Sequence, residues 1–197
     1  PYEYDLDKSV IYLDSAGWKD RNGDGIREKE VQGKLENLSL DFKYKKGDLT
    51  KKNIGLLFKE NLRKIGVQIN LTPMESDKFV EDLKSHHFEI YCNTWQSDPS
   101  MSDPKQIWYT TSAQGGSNYV SYGDELSDKL IDEIRSELDP MRREVFYRQL
   151  QAKIHQDVPY IFLFIPLERI AIAKRFVGAE AYSDKPGYDL GLWKIKK

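Results

Sequence analysis

Cysteine is almost missing from this chain. Cys92 is the single one in 197 residues, so no internal disulfide can form and no pair of thiolates is available for a zinc site. Histidine is scarce as well, with His86, His87 and His155 only. Neighbouring side chains on a regular helix or strand point in different directions, so His86 and His87 cannot both face one ion. A histidine metal centre is not expected, and neither is any cofactor. An excess of one charge is lacking too: 30 Lys and Arg stand against 32 Asp and Glu, a formal net charge of -2. Such a surface has no field of one sign to draw in nucleic acid or an anionic membrane. The longest apolar run, Tyr160 to Leu167, is far short of the roughly 20 residues that a membrane helix needs. Catalytic signatures are absent in the same way. There is no Gly-x-Ser-x-Gly and no His-Glu-x-x-His, and Gly115-Gly116 is followed by no Lys-Ser/Thr that would make a phosphate loop. No enzyme is expected.

What the chain does have is the composition of an ordinary globular protein, 39% hydrophobic and 31% charged, and enough length for one good core or for a large lobe of something bigger. It opens at Pro1-Tyr2-Glu3 without an initiator Met and reads as a processed or excised piece. Helical spacing over Asp7 to Ala16 ends at Gly17, where a left-handed cap would fall. Leu38, Leu40, Phe42 and Tyr44 alternate as a strand. Ile54, Leu57, Phe58, Leu62 and Ile65 line one face of a helix closed by Gly66, and the opposite face, with Lys51, Lys52, Lys59, Arg63 and Lys64, reads as solvated. Val67, Ile69 and Leu71 make a strand that Pro73 stops, and Ser76 caps a helix with Phe79, Val80 and Leu83. A strand from Phe88 to Trp95 follows. Strand, helix, strand, helix, strand over 38 to 95 implies right-handed crossovers, hence an α/β fold with a mixed, mostly parallel sheet flanked by helices.

Between the first helix and the first strand lies Asp20-Arg-Asn22-Gly-Asp24-Gly25-Ile26-Arg-Glu28. Oxygen-bearing residues at every second position ahead of a glycine are the first half of a calcium loop. The second half departs from it. Position twelve, where a bidentate Glu should close the site, is Val31, and Glu30 comes one residue early. An Asx-rich hairpin turn accounts for the same residues.

Beyond the strand at 88 to 95 the polarity changes at Gln96-Ser97-Asp98-Pro99. Ligands of open α/β sheets bind past the carboxyl ends of strands, which makes Asp98 a candidate contact; a plain Asp-Pro turn is the competing explanation. The run Gly115-Gly116-Ser117-Asn118 lets backbone approach something closely or is simply a loop. Two helices come next, one capped by Asp124 with Leu126, Leu130, Ile131, Ile134 and Leu138 inward, the other opening at Asp139-Pro140 with Val145, Leu150 and Ile154 inward. Tyr160 to Ile165 reads as a strand buried on both faces and Arg169 to Ala173 as another alternating segment. The aromatic, turn-rich tail from Phe176 through Trp193 should wrap the lobe.

Taken in order, Ala16-Gly17-Trp18 with Asn22 to Glu28, Leu62 to Ile69, Trp95-Gln-Ser-Asp98 with Asp103-Pro104, Gly116 to Tyr119, Asp128 with Leu130-Ile131, Arg142 or Arg143 with Tyr147, and Asp157-Val-Pro159-Tyr160-Ile161 resemble the carboxyl-terminal part of a bacterial dipeptide or oligopeptide solute-binding protein of an ABC transporter, extracellular family 5. That resemblance implies a periplasmic-binding-protein-like lobe, residues 1–197 being the carboxyl-terminal lobe fragment of a two-lobed, monomeric receptor outside the cytoplasmic membrane. It further implies a peptide as ligand, membrane permease subunits as partners, and a lipid anchor on an amino-terminal region not included in these residues. The family's Trp-x-x-Asp motif falls on Trp95 to Asp98, whose Asp would meet the peptide's α-amino group. Asn93, Thr94, Trp95 and Gln96 would offer backbone to it as an added strand, with Ser117 and Asn118 nearby. The insertion Pro99-Ser-Met-Ser102 before Asp103 departs from the dipeptide-type spacing and leaves pocket shape open. Alternatives are a same-fold receptor for a nickel complex or an oligosaccharide, and the sensor domain of a transcriptional regulator.

Overall fold

A computed structural model describes residues 2–95, 103–166, 169–182 and 187–196. The chain forms two compact units, Pro1–Thr94 and Trp95–Lys197.

The first unit begins with helix α1 (Leu6–Ser15), whose N-cap Asp5 accepts from the Lys8 N–H and which gives out at Gly17 with φ +88°. Strands β1 (Glu28–Val31) and β2 (Lys34–Asn37) then form an antiparallel hairpin. Its two-residue turn, Gln32-Gly33, has positive φ at both positions, the backbone twist that fits a tight hairpin. Strand β3 (Ser39–Lys45), helix α2 (Leu49–Arg63), strand β4 (Gln68–Met74), helix α3 (Ser76–Lys84) and the short strand β5 (Ile90–Tyr91) complete the unit. The sheet has the order β4-β3-β5, parallel throughout, as the alternation of strands and helices requires. Phe42, Tyr44, Val67, Ile69, Leu38, Ile65 and Cys92 form its buried core.

Four details differ from expectation. Strand β4 runs through Pro73, which pairs with Tyr44; β4 is the edge strand, where a missing N–H is tolerated. Ser76 is the first helical residue of α3 and the cap position is Glu75. On α2 the inward stripe is Ile54, Gly55, Phe58 and Leu62, with Leu57 exposed. The strand expected over 88 to 95 pairs only at Ile90 and Tyr91; ahead of that pair the Asp41 N–H donates to the Glu89 carboxylate, and past it Asn93 and Thr94 are exposed although β3 runs on to Lys45.

Gly55 is where α2 presses closest to the sheet. A Cβ there would lie 2.9 Å from the Phe42 ring and 3.1 Å from Leu71, both side chains of the packed interior. Gly55→Val is therefore expected to destabilise the full-length protein by about 1 to 3 kcal/mol through overpacking, although glycine is a poor helix former. A lowered urea midpoint at unchanged slope is the measurement; an unchanged or raised midpoint would contradict the packing described.

In the second unit, helix α4 (Lys105–Trp108) and a 3-10 turn over Thr110–Ala113 precede helices α5 (Glu125–Ser136) and α6 (Pro140–Asp157). Asp124 caps α5 through a reciprocal capping box with Ser127, and Asp139 caps α6 ahead of Pro140. Leu130, Ile131, Ile134, Leu150 and Ile154 pack between them with Trp108, Phe146 and Tyr147 against the cluster. Leu126, Leu138 and Val145, expected inward, are exposed: Leu138 lies past the helix end, and the buried stripe of α5 is Ser127, Leu130, Ile131 and Ile134. The run from Tyr160 to Ile165 is not a strand and is not buried on both faces; Ile161, Phe162, Leu163, Phe164 and Ile165 are exposed, since no strand among the described residues offers it a ladder. Arg169 to Ala173 is likewise irregular. The tail forms instead a small antiparallel pair, β6 (Phe176–Val177) with β7 (Lys194–Ile195), under a cluster of Phe176, Tyr188 and Trp193 rings.

Ion pairs couple this fold to pH. Lys51 holds the Asp48 carboxyl below the ordinary range, Lys43 that of Asp82, and Lys153 those of Asp124 and Asp157. Carboxyls depressed by folding contribute stability above their ordinary value near 3.8 and lose it as pH falls through the lower folded values. The Tm should hold from about pH 7 to 5 and fall steadily below about pH 4; a Tm flat across that acid range would contradict these pairings.

Candidate ligand-binding site

The chain leaves the parallel sheet at the carboxyl end of β5. The Cys92 N–H still donates to the Lys43 carbonyl at 2.9 Å, and by the same register Asn93 falls opposite Lys45, the last residue of β3. Asn93 and Thr94, the final residues of the first unit, are exposed. They stand where open α/β sheets present backbone to ligands. Gln96 and Asp98 lie outside the described residues.

Trp95 opens the second unit. Its ring, 39% exposed, stacks on Tyr119 with centroids 5.9 Å apart and planes inclined by 16°. Tyr119 is carried by a loop that the backbone ties tightly. The Ser112 carbonyl accepts from the N–H groups of Gly116 at 3.1 Å and Asn118 at 3.3 Å, and a Cβ on residue 116 would meet that oxygen at 2.5 Å, so only glycine fits. Ser117 and Asn118 are buried. The Ser117 N–H donates to the Gln106 carbonyl at 2.9 Å and its Oγ accepts from Gln106 Nε2 at 3.2 Å. Asn118, with no exposed surface, donates from Nδ2 to the carbonyls of Tyr109 at 3.0 Å and Tyr122 at 2.7 Å and accepts from the Tyr122 N–H at 3.0 Å. Both side chains are thus bonded inside the loop, and the group that the loop sets against Trp95 is the Tyr119 ring. That aromatic, immediately after Asn118, was the one to single out in the sequence.

Carboxylates anchor the same loop to the helices. Asp128 accepts from the Thr110 N–H at 2.9 Å and from its hydroxyl. Tyr109 donates to Asp132 at 3.0 Å, and that hydrogen bond raises the phenol's pKa. Tyr122 donates to Asp157 at 2.9 Å; burial first, then that carboxylate, pushes its pKa up. Lys153 bridges Asp124 at 2.6 Å and Asp157 at 2.9 Å, which raises its own pKa and keeps it an ammonium. A groove of about 1470 Å³ in this unit is lined by Asp103, Tyr109, Asp128, Asp132, Arg135 and Arg143 among others, and by none of the residues expected to meet a ligand. It carries both charge signs. Among the described residues one group of side chains could hold a metal ion, Asp20, Asp24 and Glu28, and it lies in the first unit. No helix among the described residues is long and apolar enough to cross a membrane.

Known proteins share this fold. The oligopeptide-binding protein AppA of Bacillus subtilis is 30% identical over the whole of this chain and 36% of its own length. Its structure in complex with a nonapeptide superposes with a TM-score of 0.83 over 99% of this chain. An oligopeptide-binding protein of Thermus thermophilus, complexed with a pentapeptide, shares the fold at a TM-score of 0.81 and 23% identity, over 95% of this chain and 34% of that one. The nickel-binding periplasmic protein of Escherichia coli is 27% identical over 82% of this chain and 30% of its own length. The chain thus spans about a third of the length of the relatives it matches. The model describing bacterial extracellular solute-binding proteins, family 5, middle region, matches residues 1–118. With that match over more than half its length, the chain belongs to family 5 of the bacterial extracellular solute-binding proteins.

Proposed function

We propose that these residues supply most of one lobe of a two-lobed receptor that binds peptides outside the cytoplasmic membrane and passes them to the permease subunits of an ABC transporter. The observation that supports this reading most is the similarity, along nearly the whole chain, to a protein whose structure holds a nonapeptide. The exposed stretch Asn93, Thr94 and Trp95 at the end of β5 suits it. In this reading residues 93 to 96 pair with the peptide backbone, which ignores side-chain identity and lets one receptor accept many sequences. Trp95, braced by Tyr119, covers the peptide's first residue, and Asp98 meets its α-amino group. Ser117 and Asn118 act on the peptide indirectly, by holding the loop that carries Tyr119. The receptor binds and releases without chemical change.

Calorimetry on the full-length protein tests this. A peptide of five to nine residues, as the relatives' complexes hold, should bind with a free amino terminus and fail when acetylated, and mass spectrometry should recover it intact. The similarity to a nickel-binding protein supports a second reading, a metal complex as cargo. Heat from a nickel–histidine complex, with none from any free-amine peptide, would select it.

A further inference from the structure

We propose that the loop between α1 and β1 binds a calcium ion through Asp20, Asn22, Asp24 and Glu28. Ligand oxygens of Asp20, Asp24 and Glu28 lie within 4.8 Å of one another, close enough to share a single ion. Three carboxylates at that spacing repel one another unless a cation sits among them. The side chain that completes the set is the informative one. Glu28 has no exposed surface at all. One of its oxygens, Oε2, accepts from the Arg21 N–H at 2.9 Å, while Oε1 is buried and has no hydrogen-bond partner among the described residues. A buried carboxylate oxygen without a donor is among the costliest groups a fold can carry, and here it belongs to the acidic cluster. The neighbouring cation does not relieve it: the Arg27 guanidinium is turned to Asp14 and to the carbonyls of Trp18 and Ile65, at 2.6 to 2.7 Å.

The backbone supplies the rest of a calcium loop. Counting Asp20 as position one, oxygen-bearing side chains stand at positions one, three and five, Gly25 stands at six with φ +85°, and Ile26 holds position seven, where such loops use a main-chain carbonyl. What looks like a missing closing residue at position twelve is supplied at position nine. Glu28 pairs with Lys19 across an antiparallel bridge, each N–H donating to the other's carbonyl at 3.0 and 2.9 Å, which folds the loop back so that position nine reaches position one. The hydrogen bonds from Gly23 and Gly25 to Asp20, from Asp24 to Asn22 and from Ile26 to Asp24 each use one lone pair of an oxygen that has another to give. All the side-chain donors are hard oxygens from an irregular loop, an arrangement more common for calcium than for the smaller, strictly octahedral magnesium. An ion here pins the exit of α1 to β1, and Arg27, whose N–H donates to the Gly66 carbonyl at 2.9 Å, carries that restraint to the end of α2.

The test is calorimetry and thermal unfolding of the EDTA-stripped full-length protein with calcium chloride. One site with a Kd of about 10⁻⁵ to 10⁻³ M and a raised Tm are expected, with magnesium at least about tenfold weaker. Glu28→Gln, which keeps the shape and removes the charge, should lower calcium affinity at least about tenfold. Should Glu28→Gln fail to fold, the exposed Asp24→Asn gives the same reading, because its circular dichroism should match that of the parent. No heat and no Tm change up to about 10 mM calcium would overturn the assignment, as would variants that bind like the parent. Equal affinity for magnesium would overturn calcium as the ion.

Discussion

Asp98→Asn in the full-length protein is expected to weaken binding of a peptide with a free amino terminus at least about a hundredfold. An ammonium enclosed between two closing lobes depends on a facing carboxylate; taking that carboxylate away strands the charge, at about 3 to 5 kcal/mol for a buried pair. Each 1.4 kcal/mol is about a factor of ten in Kd, so the hundredfold figure is the low end. Asparagine keeps the size and some hydrogen-bonding capacity of the side chain, which isolates charge as the cause. An acetylated peptide carries no ammonium and should bind both proteins equally weakly. Unchanged calorimetric affinity of Asp98→Asn for the free-amine peptide would refute the role given to this residue, and with it the peptide polarity proposed here.

Asn118→Asp should have the second large effect, this time on stability. The substitution replaces an amide that donates to two buried carbonyls, those of Tyr109 and Tyr122, with a group that can only accept. Two carbonyls lose their donors and a carboxylate is buried against them, on a residue with no exposed surface. A loss of about 3 to 5 kcal/mol is expected from these costs together, read as a lowered urea midpoint. Asn118→Ala, which removes the donors without adding a charge, should fall between it and the parent. The pair also separates two roles for this residue. A side chain that touched the peptide directly would, when changed, cost affinity and leave the midpoint alone; one that holds Tyr119 in place costs stability first.

The sequence carried the helices well, because their signals are local. Asp124 and Asp139-Pro140 start α5 and α6 where capping chemistry puts them, and the parallel order of β3 and β4 follows from the helix between them. Features that depend on distant partners were not legible. The length of β5 depends on what the β3 backbone bonds to, the Glu89 carboxylate at the Asp41 N–H included. The β1–β2 hairpin turns on Gln32-Gly33, and glutamine is not among the residues that advertise a left-handed turn. The site divides in the same way. The change of polarity past Trp95 marks where the chain leaves the sheet, but strand alternation does not: it sets Thr94 opposite Asn93 and Trp95, yet all three are exposed. The burial of Asn118 arises from carbonyls of Tyr109 and Tyr122 converging on one amide and that of Ser117 from its bonds to Gln106, which no spacing rule encodes. The approach of Glu28 to Asp20 and Asp24 is hidden from a linear loop pattern, which looks for its last acid at position twelve, while the Lys19 bridge brings position nine round beside position one.

Ile161 to Ile165, five successive apolar side chains exposed after the end of α6, bear on how this polypeptide can be handled. A greasy stretch outside any ladder of the described residues is a template for pairing with its own kind. Produced by itself, the 197-residue chain is expected to self-associate at this stretch, and polar replacements at Phe164 and Ile165 should reduce that, whereas the Phe162 ring packs on Trp108 and Tyr160 and is better kept.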